Sequence, residues 1–242
     1  MERFNDENSQ RRALAAAHRL VARRGWDDLV FTLLSARVPE QPDHLIVTPF
    51  PSMCSEATAS NLVKVDLDGR PLDGGRIDDG GFPLYGAIHK ARPDVNCILH
   101  LHTIPGVAVS ARKEGLLPLA QTSMLIIEDL AYADYEGIGQ GDERVVEALG
   151  QKNNLLLRNH GTISVGRSVP EAFGRLHVLE SACAIQVAAM RGDGDSAITP
   201  VDRHVVSSVA KMGNEYLASG VLEDAWESMV TSLDREEPSY AE

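Results

Sequence analysis

Aromatic side chains are scarce in this chain: Phe, Trp and Tyr together make up 5% of 242 residues. With so few large rings, Ala, Val and Leu must fill the core, which suits layered helices and sheet better than an aromatic-rich β-sandwich. Cysteine is scarcer still. Cys54, Cys97 and Cys183 are odd in number, far apart, and form no C-x-x-C pair. That excludes a disulfide framework and points to reduced thiols in a cytosolic protein. No apolar run approaches the ~20 residues of a membrane-spanning helix. The opening Met1 to Glu7 is polar, so no signal-peptide core is expected. Basic residues are in deficit: 23 Lys+Arg against 35 Asp+Glu leave a net charge of −12. The chain therefore lacks the positive footprint that phosphate backbones and anionic lipid require, and neither nucleic acid nor membrane is an expected partner.

What is present is ordinary globular composition, 43% hydrophobic and 24% charged, in a chain long enough to bury one large core. There is no repeat, low-complexity tract or linker. We expect a single domain over residues 1–235 and a mobile acidic tail over 236–242. A helix is predicted over 9–24, capped by Ser9 and stopped by Gly25. Strands follow at Leu29 to Val38, Leu45 to Thr48 and Leu62 to Asp66, with a turn at Asp68-Gly69. Residues 72–81 read as a glycine-rich loop. The rhythm then alternates: helix 83–91, strand Val95 to Leu101, short helix Pro105 to Lys113, strand Ser123 to Ile127, helix Glu143 to Leu149. Strands at Leu155 to Leu157 and Thr162 to Val165 precede a long helix over 169–190, with Ser168 as cap and Gly192 as stop. Helices are predicted from Thr199 to about Ala218 and from Leu222 to Leu233. The whole reads as α/β, a central mixed sheet with helices on both faces.

The sharpest local feature is His100-Leu101-His102. Alternate residues of a strand share a face, so both imidazoles project to one side, roughly 7 Å apart at Cα. Two such rings can converge on one ion, and a third nitrogen would complete a triad with an open position. The second feature is Leu157-Arg158-Asn159-His160-Gly161-Thr162, a polar triplet where an apolar strand meets a glycine turn, and His160 is a candidate third ligand. On the residues alone, backbone-bonded strand histidines and a turn histidine stand beside the metal reading. Glu128 and Glu180 interrupt apolar stretches and read as satisfied structural partners, with entry into a neighbouring subunit's site as the alternative. His177 reads as packing, and His18, His44 and His204 as solvated or helix-face residues. Arg92 is expected to anchor a turn through Asp94.

Several blocks together resemble a known family. They are Gly25-Trp26, Phe31-Thr32, Ser35-Ala36-Arg37-Val38, Glu56 to Val65, Ala91-Arg92-Pro93-Asp94-Val95, His100-Leu101-His102-Thr103, Ala131 to Ile138, and Leu157-Arg158-Asn159-His160-Gly161. From about Arg11 to Met190 the chain is similar to the class II aldolase and adducin-head superfamily, most of all its adducin-like branch. The resemblance implies a three-layer α/β/α domain, a homotetramer with active sites between subunits, and a small-molecule substrate. It also implies a divalent metal at the positions of His100, His102 and His160, zinc first, with manganese and iron open. The chain departs from the aldolases where they carry a glutamate ligand and base: that position is Gly81. The adducin-like His-x3-Tyr order is reversed here as Tyr85 and His89. Thr48-Pro49-Phe50-Pro51 lacks the glycine expected after a Pro-aromatic pair, so a phosphosugar substrate is not expected.

An ion held by three histidines polarises a carbonyl and stabilises an enolate. Aldol cleavage and decarboxylation both pass through that species, but decarboxylation needs no base to begin, so Gly81 favours it slightly. Tyr85, His89, Tyr132 and Tyr135 are candidate proton donors. His89 is the most capable near neutral pH; Tyr85, His89 and Tyr135 are carried forward as the catalytic set. The leading expectation is a metal-dependent carbon–carbon lyase acting on a small oxo- or hydroxy-acid. The alternatives are an adducin-like non-catalytic binding scaffold and a non-haem iron oxygenase at the same three histidines.

Overall fold

The computed structural model describes residues 6–138, 142–191 and 198–242. Seven strands form one sheet in the order β3-β2-β1-β4-β7-β6-β5. They are β1 (Leu33–Val38), β2 (Gln41–Val47), β3 (Val63–Asp66), β4 (Cys97–Leu101), β5 (Leu130–Ala133), β6 (Asn154–Leu157) and β7 (Gly161–Gly166). Every neighbouring pair is antiparallel except β5 with β6. The mixed α/β architecture is the one expected.

Alternation along the central strands sorts the core into layers. Cys97, Leu99 and Leu101 of β4 face a cluster with α1 (Glu7–Arg23), α6 (Val169–Ala189) and α8 (Leu222–Glu236). Ile98, between them, faces the other way, toward Tyr85 and Ile88 of α2 (Phe82–Ala91) and Val145 and Leu149 of α5 (Asp142–Leu149). On the α6 side, Val109 of α3 (Ile104–Ser110) and Ile126 of α4 (Gln121–Ile126) extend the packing. Arg92 anchors its turn as expected, bidentate on Asp94 at 2.8 and 2.7 Å and donating to Gly150 O at 2.6 Å.

The structure corrects several local expectations. The first helix is capped by Asp6, whose carboxylate accepts the Ser9 N–H at 2.7 Å; Ser9 lies one turn in and returns a bond to Asp6 O. Ser123 to Ile127 is not a strand. An apolar run this short does not distinguish strand from buried helix, and here Ser123 Oγ bonds both Ala120 N and Ala120 O while Ile126 is buried, giving α4. The strand in this region comes later, as β5. The segment expected to be a free acidic tail is docked. Pro238–Ala241 forms a 3-10 turn, Tyr240 is buried in the α1 cluster, and its hydroxyl donates to Asp234 at 2.7 Å. Ala59 N–H and Ser60 N–H donate to Tyr240 O and Glu242 O. One aromatic anchor outweighs the acidic composition around it. His18 is also fully buried rather than solvated: Nδ1–H donates to Leu14 O at 2.7 Å and Nε2 faces Thr48 Oγ1 at 2.8 Å. Glu128 is exposed, and its neighbour Asp129 is the buried carboxylate, held by Arg175 at 2.9 Å. The expected stop at Gly192 lies outside the described residues.

The arm after α6 runs through α7 (Arg203–Tyr216), which packs on α4. Gly213 permits this: a Cβ there would lie 2.0 Å from Leu125 O. No helix among the described residues is long and apolar enough to cross a membrane.

Candidate metal centre

The site lies where β4 ends and β7 begins. His100 is in β4 with its ring on the α2 side, where Tyr85 packs at 6.5 Å between ring centroids. His102 follows just past the strand end. His160 comes from the β6–β7 turn, which Asn159 makes by adopting a left-handed backbone, φ 58°. His160 N–H donates to Leu157 O at 3.0 Å and locks the turn. Gly161 brings β7 close against the end of β4. A Cβ there would lie 2.3 Å from Leu101 O, 3.1 Å from the His102 ring and 3.3 Å from the His100 ring.

The three Nε2 atoms converge. They are 3.0 Å apart between His100 and His102, and 3.1 Å from His160 to each. These contacts cannot all be hydrogen bonds. His100 Nδ1–H donates to Thr162 O at 2.9 Å, so its Nε2 carries a bare lone pair. His102 Nδ1 faces Asp28 Oδ2 at 3.3 Å, the carboxylate–histidine arrangement that orients a metal ligand. Burial, then repulsion from the other two rings, holds His100 well below the usual histidine range. The same causes, burial first and then His102, lower His160 to about 4. Three imidazole nitrogens that converge in this way are a donor set suited to a divalent cation.

Of the three residues expected to catalyse, two border this cluster. Tyr135 stacks on His160, 4.3 Å between centroids and 21° between planes, and is 39% exposed. Tyr85 is buried beside His100, its hydroxyl donating to Leu33 O at 3.3 Å; burial, then the nearby Asp78 charge, raises it well above the usual tyrosine value. His89 is not in the site. It lies one turn further along α2, with Nε2 on Ser35 Oγ at 3.0 Å and Nδ1 toward Val95 O and Arg37 at 3.3 Å. Burial, then the Arg37 charge, pushes it down to about 3, so it carries no proton to give near neutral pH.

Three acidic side chains complete the surroundings, and no local signal singles out two of them. Asp28 is 74 residues from His102 in sequence. Asp78 has its Oδ2 2.9 Å from where a Cβ on Gly81 would lie, and that Cβ would also press on Leu33 at 2.3 Å. Leu33 pairs with His100, so their side chains share a face of the sheet. The Asp78 carboxylate thus fills the space a side chain at 81 would enter. The third, Glu180 of α6, accepts hydrogen bonds from Thr103 and Thr162.

The chain is similar along most of its length to known proteins. Residues 12–187 match the model of the class II aldolase and adducin N-terminal domain. A putative aldolase class 2 protein of Caulobacter vibrioides is 44% identical over 234 residues, 95% of this chain and 90% of that one. Mouse alpha-adducin is also 44% identical, over 75% of this chain but only 26% of the adducin. Among solved structures, an aldolase II superfamily protein from Pseudomonas syringae superposes with a TM-score of 0.94 at 40% identity, covering 98% of this chain and 96% of that one. L-fuculose 1-phosphate aldolase from Glaciozyma antarctica gives 0.81 at 29% identity, covering 95% and 92%. With the matched region spanning every strand and all three histidines, this chain belongs to the class II aldolase and adducin N-terminal domain family.

Proposed function

We propose that this protein is a metal-dependent carbon–carbon lyase acting on a small oxo- or hydroxy-acid, with His100, His102 and His160 as the metal ligands and zinc as the metal. The observation that carries the reading is the convergence of three Nε2 atoms at 3.0 to 3.1 Å. A divalent ion bound there supplies Lewis acidity toward a substrate oxygen and stabilises enolate charge. The protein's own groups do the rest. Thr162 O and Asp28 fix the orientation of two rings. Tyr135, stacked on His160 and partly exposed, is the proton donor in this reading. Decarboxylation stays ahead of aldol cleavage because Gly81, just before α2, offers no carboxylate. Asp78 is the group that aldol chemistry would have to use as base. The site is completed by a neighbouring subunit in a homotetramer: Ile104 and Ile138, 84% and 76% exposed, adjoin Thr103 and Gly80 and form apolar surface for it to cover. The buried, free cysteines fit a reducing, cytosolic setting.

A second reading, a binding scaffold with a vestigial site, is favoured by the 44% identity to alpha-adducin. Elemental mass spectrometry on tag-free wild type beside the His100→Ala/His160→Ala double variant separates the two. The lyase reading expects near-stoichiometric metal in the wild type and none in the variant. Wild type that takes up no zinc, manganese or iron on reconstitution refutes it and leaves the scaffold. Once metal is shown, carbon dioxide release and aldehyde release from a panel of oxo- and hydroxy-acids rank the two reactions. Asp78→Asn should abolish only the second.

A further inference from the structure

Glu180 is a buried carboxylate that the proposed chemistry does not use. It lies in the middle of α6, 2% exposed. Both oxygens are engaged by hydroxyls: Thr103 Oγ1 donates to one and Thr162 Oγ1 to the other. Among the described residues no Lys, Arg or His forms an ion pair with it. An unpaired buried carboxylate is costly, and a hydrophobic side chain would fill the same space at lower cost. Its two partners are what make it informative.

Thr103 directly follows His102 and starts α3, its Oγ1 accepting the Gly106 N–H at 3.0 Å. Thr162 is the residue whose carbonyl accepts the His100 Nδ1–H, and it comes two residues after His160. Thr162 also pairs with Leu101, the residue between His100 and His102. Leu101 belongs to the cluster on the α6 side of the sheet, so Thr162 and Glu180 lie behind the histidine rings. There is no slack in this layer. A Cβ on Gly106 would lie 2.7 Å from Thr162 Cγ2, 2.9 Å from Thr103 Oγ1 and 3.3 Å from Glu180 Oε1.

We propose that Glu180 is a positioning residue for the metal centre: one carboxylate, from the back of the sheet, ties the end of β4 to the start of β7 and so sets the spacing of all three histidines. The inference rests on the lyase reading's metal site. Removal of the clamp leaves the fold intact, because Thr103 keeps its Gly106 bond and Thr162 can turn to Leu101 O, 3.5 Å away. The ligands then lose their fixed spacing, and supporting groups of this kind typically contribute 10–100-fold to metal affinity.

The test titrates Co(II) into metal-free wild type, Glu180→Leu and Glu180→Gln, following the visible d–d spectrum and the dissociation constant, with thermal melts of each metal-free protein. Glu180→Leu should bind Co(II) about 10–100-fold more weakly, with an altered band pattern. Glu180→Gln, which keeps one acceptor, should recover most of the affinity. Unchanged Co(II) affinity and spectrum in Glu180→Leu, with only a lower melting temperature, would show a purely structural residue and overturn the proposal. Wild type that binds no Co(II) overturns the metal reading itself and the proposal with it, an outcome distinct from a wild type that binds and a variant that binds equally well.

Discussion

Substituting Gly161 by Ala tests whether backbone approach, rather than the histidines alone, makes the site. The added methyl would lie 2.3 Å from Leu101 O, whereas ordinary van der Waals contact of a Cβ begins at 3.4 Å. The obstacle is backbone, so no rotamer change relieves it, and β7 must retreat from β4 by about 1.1 Å on that distance to reach ordinary contact. Metal–ligand distances tolerate about 0.2 Å. The required shift exceeds that several-fold, and it acts on the turn carrying His160 against the strand carrying His100. Overpacking of this kind costs about 1–3 kcal/mol, which for a chain of this size lowers the melting temperature by roughly 2–12 °C. Calorimetry on the metal-free proteins reads the second quantity, and elemental analysis after reconstitution and gel filtration reads the first. A Gly161→Ala protein that melts within a degree of wild type and retains full metal would refute the argument that β4 and β7 must touch here.

Two further predictions concern stability. Burial, then the neighbouring Arg19 charge, lowers His18 from an ordinary 6.5 to about 4 in the folded protein. The unfolded chain therefore takes up the proton first as pH falls, and stability is full above pH 6.5 and drains between 6.5 and 4. At pH 5 the loss from this residue is on the order of 2 kcal/mol; urea unfolding at pH 7.5 and 5.0 should show that much less pH dependence in His18→Gln, and parallel curves would disprove the assignment. Gly213→Ala should push α7 off α4, since its Cβ would meet Leu125 O at 2.0 Å. The cost is about 1–3 kcal/mol, seen as faster hydrogen exchange in α7 with metal content unchanged; wild-type protection would contradict it.

How much of this was legible depends on the range of the forces involved. The strand period put His100 and His102 on one face, and the glycine turn after an apolar strand marked His160; both are local patterns, and all three residues meet. The family blocks carried the fold for the same reason, since each is a short run whose chemistry survives out of context. Pieces decided by distant contacts escaped. Ser123 to Ile127 has the apolarity of a strand and became α4 because α6 and α7 sandwich it. The tail read as mobile by composition, yet a single Tyr240 found the α1 cluster. His89 has the right chemistry for a proton donor, but one helical turn separates it from Tyr85 and hands it to Ser35 and Arg37.

The sequence by itself determined the mixed α/β fold and the poverty of positive charge, because periodicity, turn chemistry and composition act within a few residues; it offered the three histidines as candidates, and the family resemblance joined them into one set. Only the tertiary structure decided that Asp28 faces His102, that Asp78 fills the space beside Gly81, and that Glu180 grips Thr103 and Thr162 from behind the sheet. Those contacts join residues many positions apart, and a carboxylate's role is set by what desolvates it and which donors it meets, neither of which exists until the chain has folded.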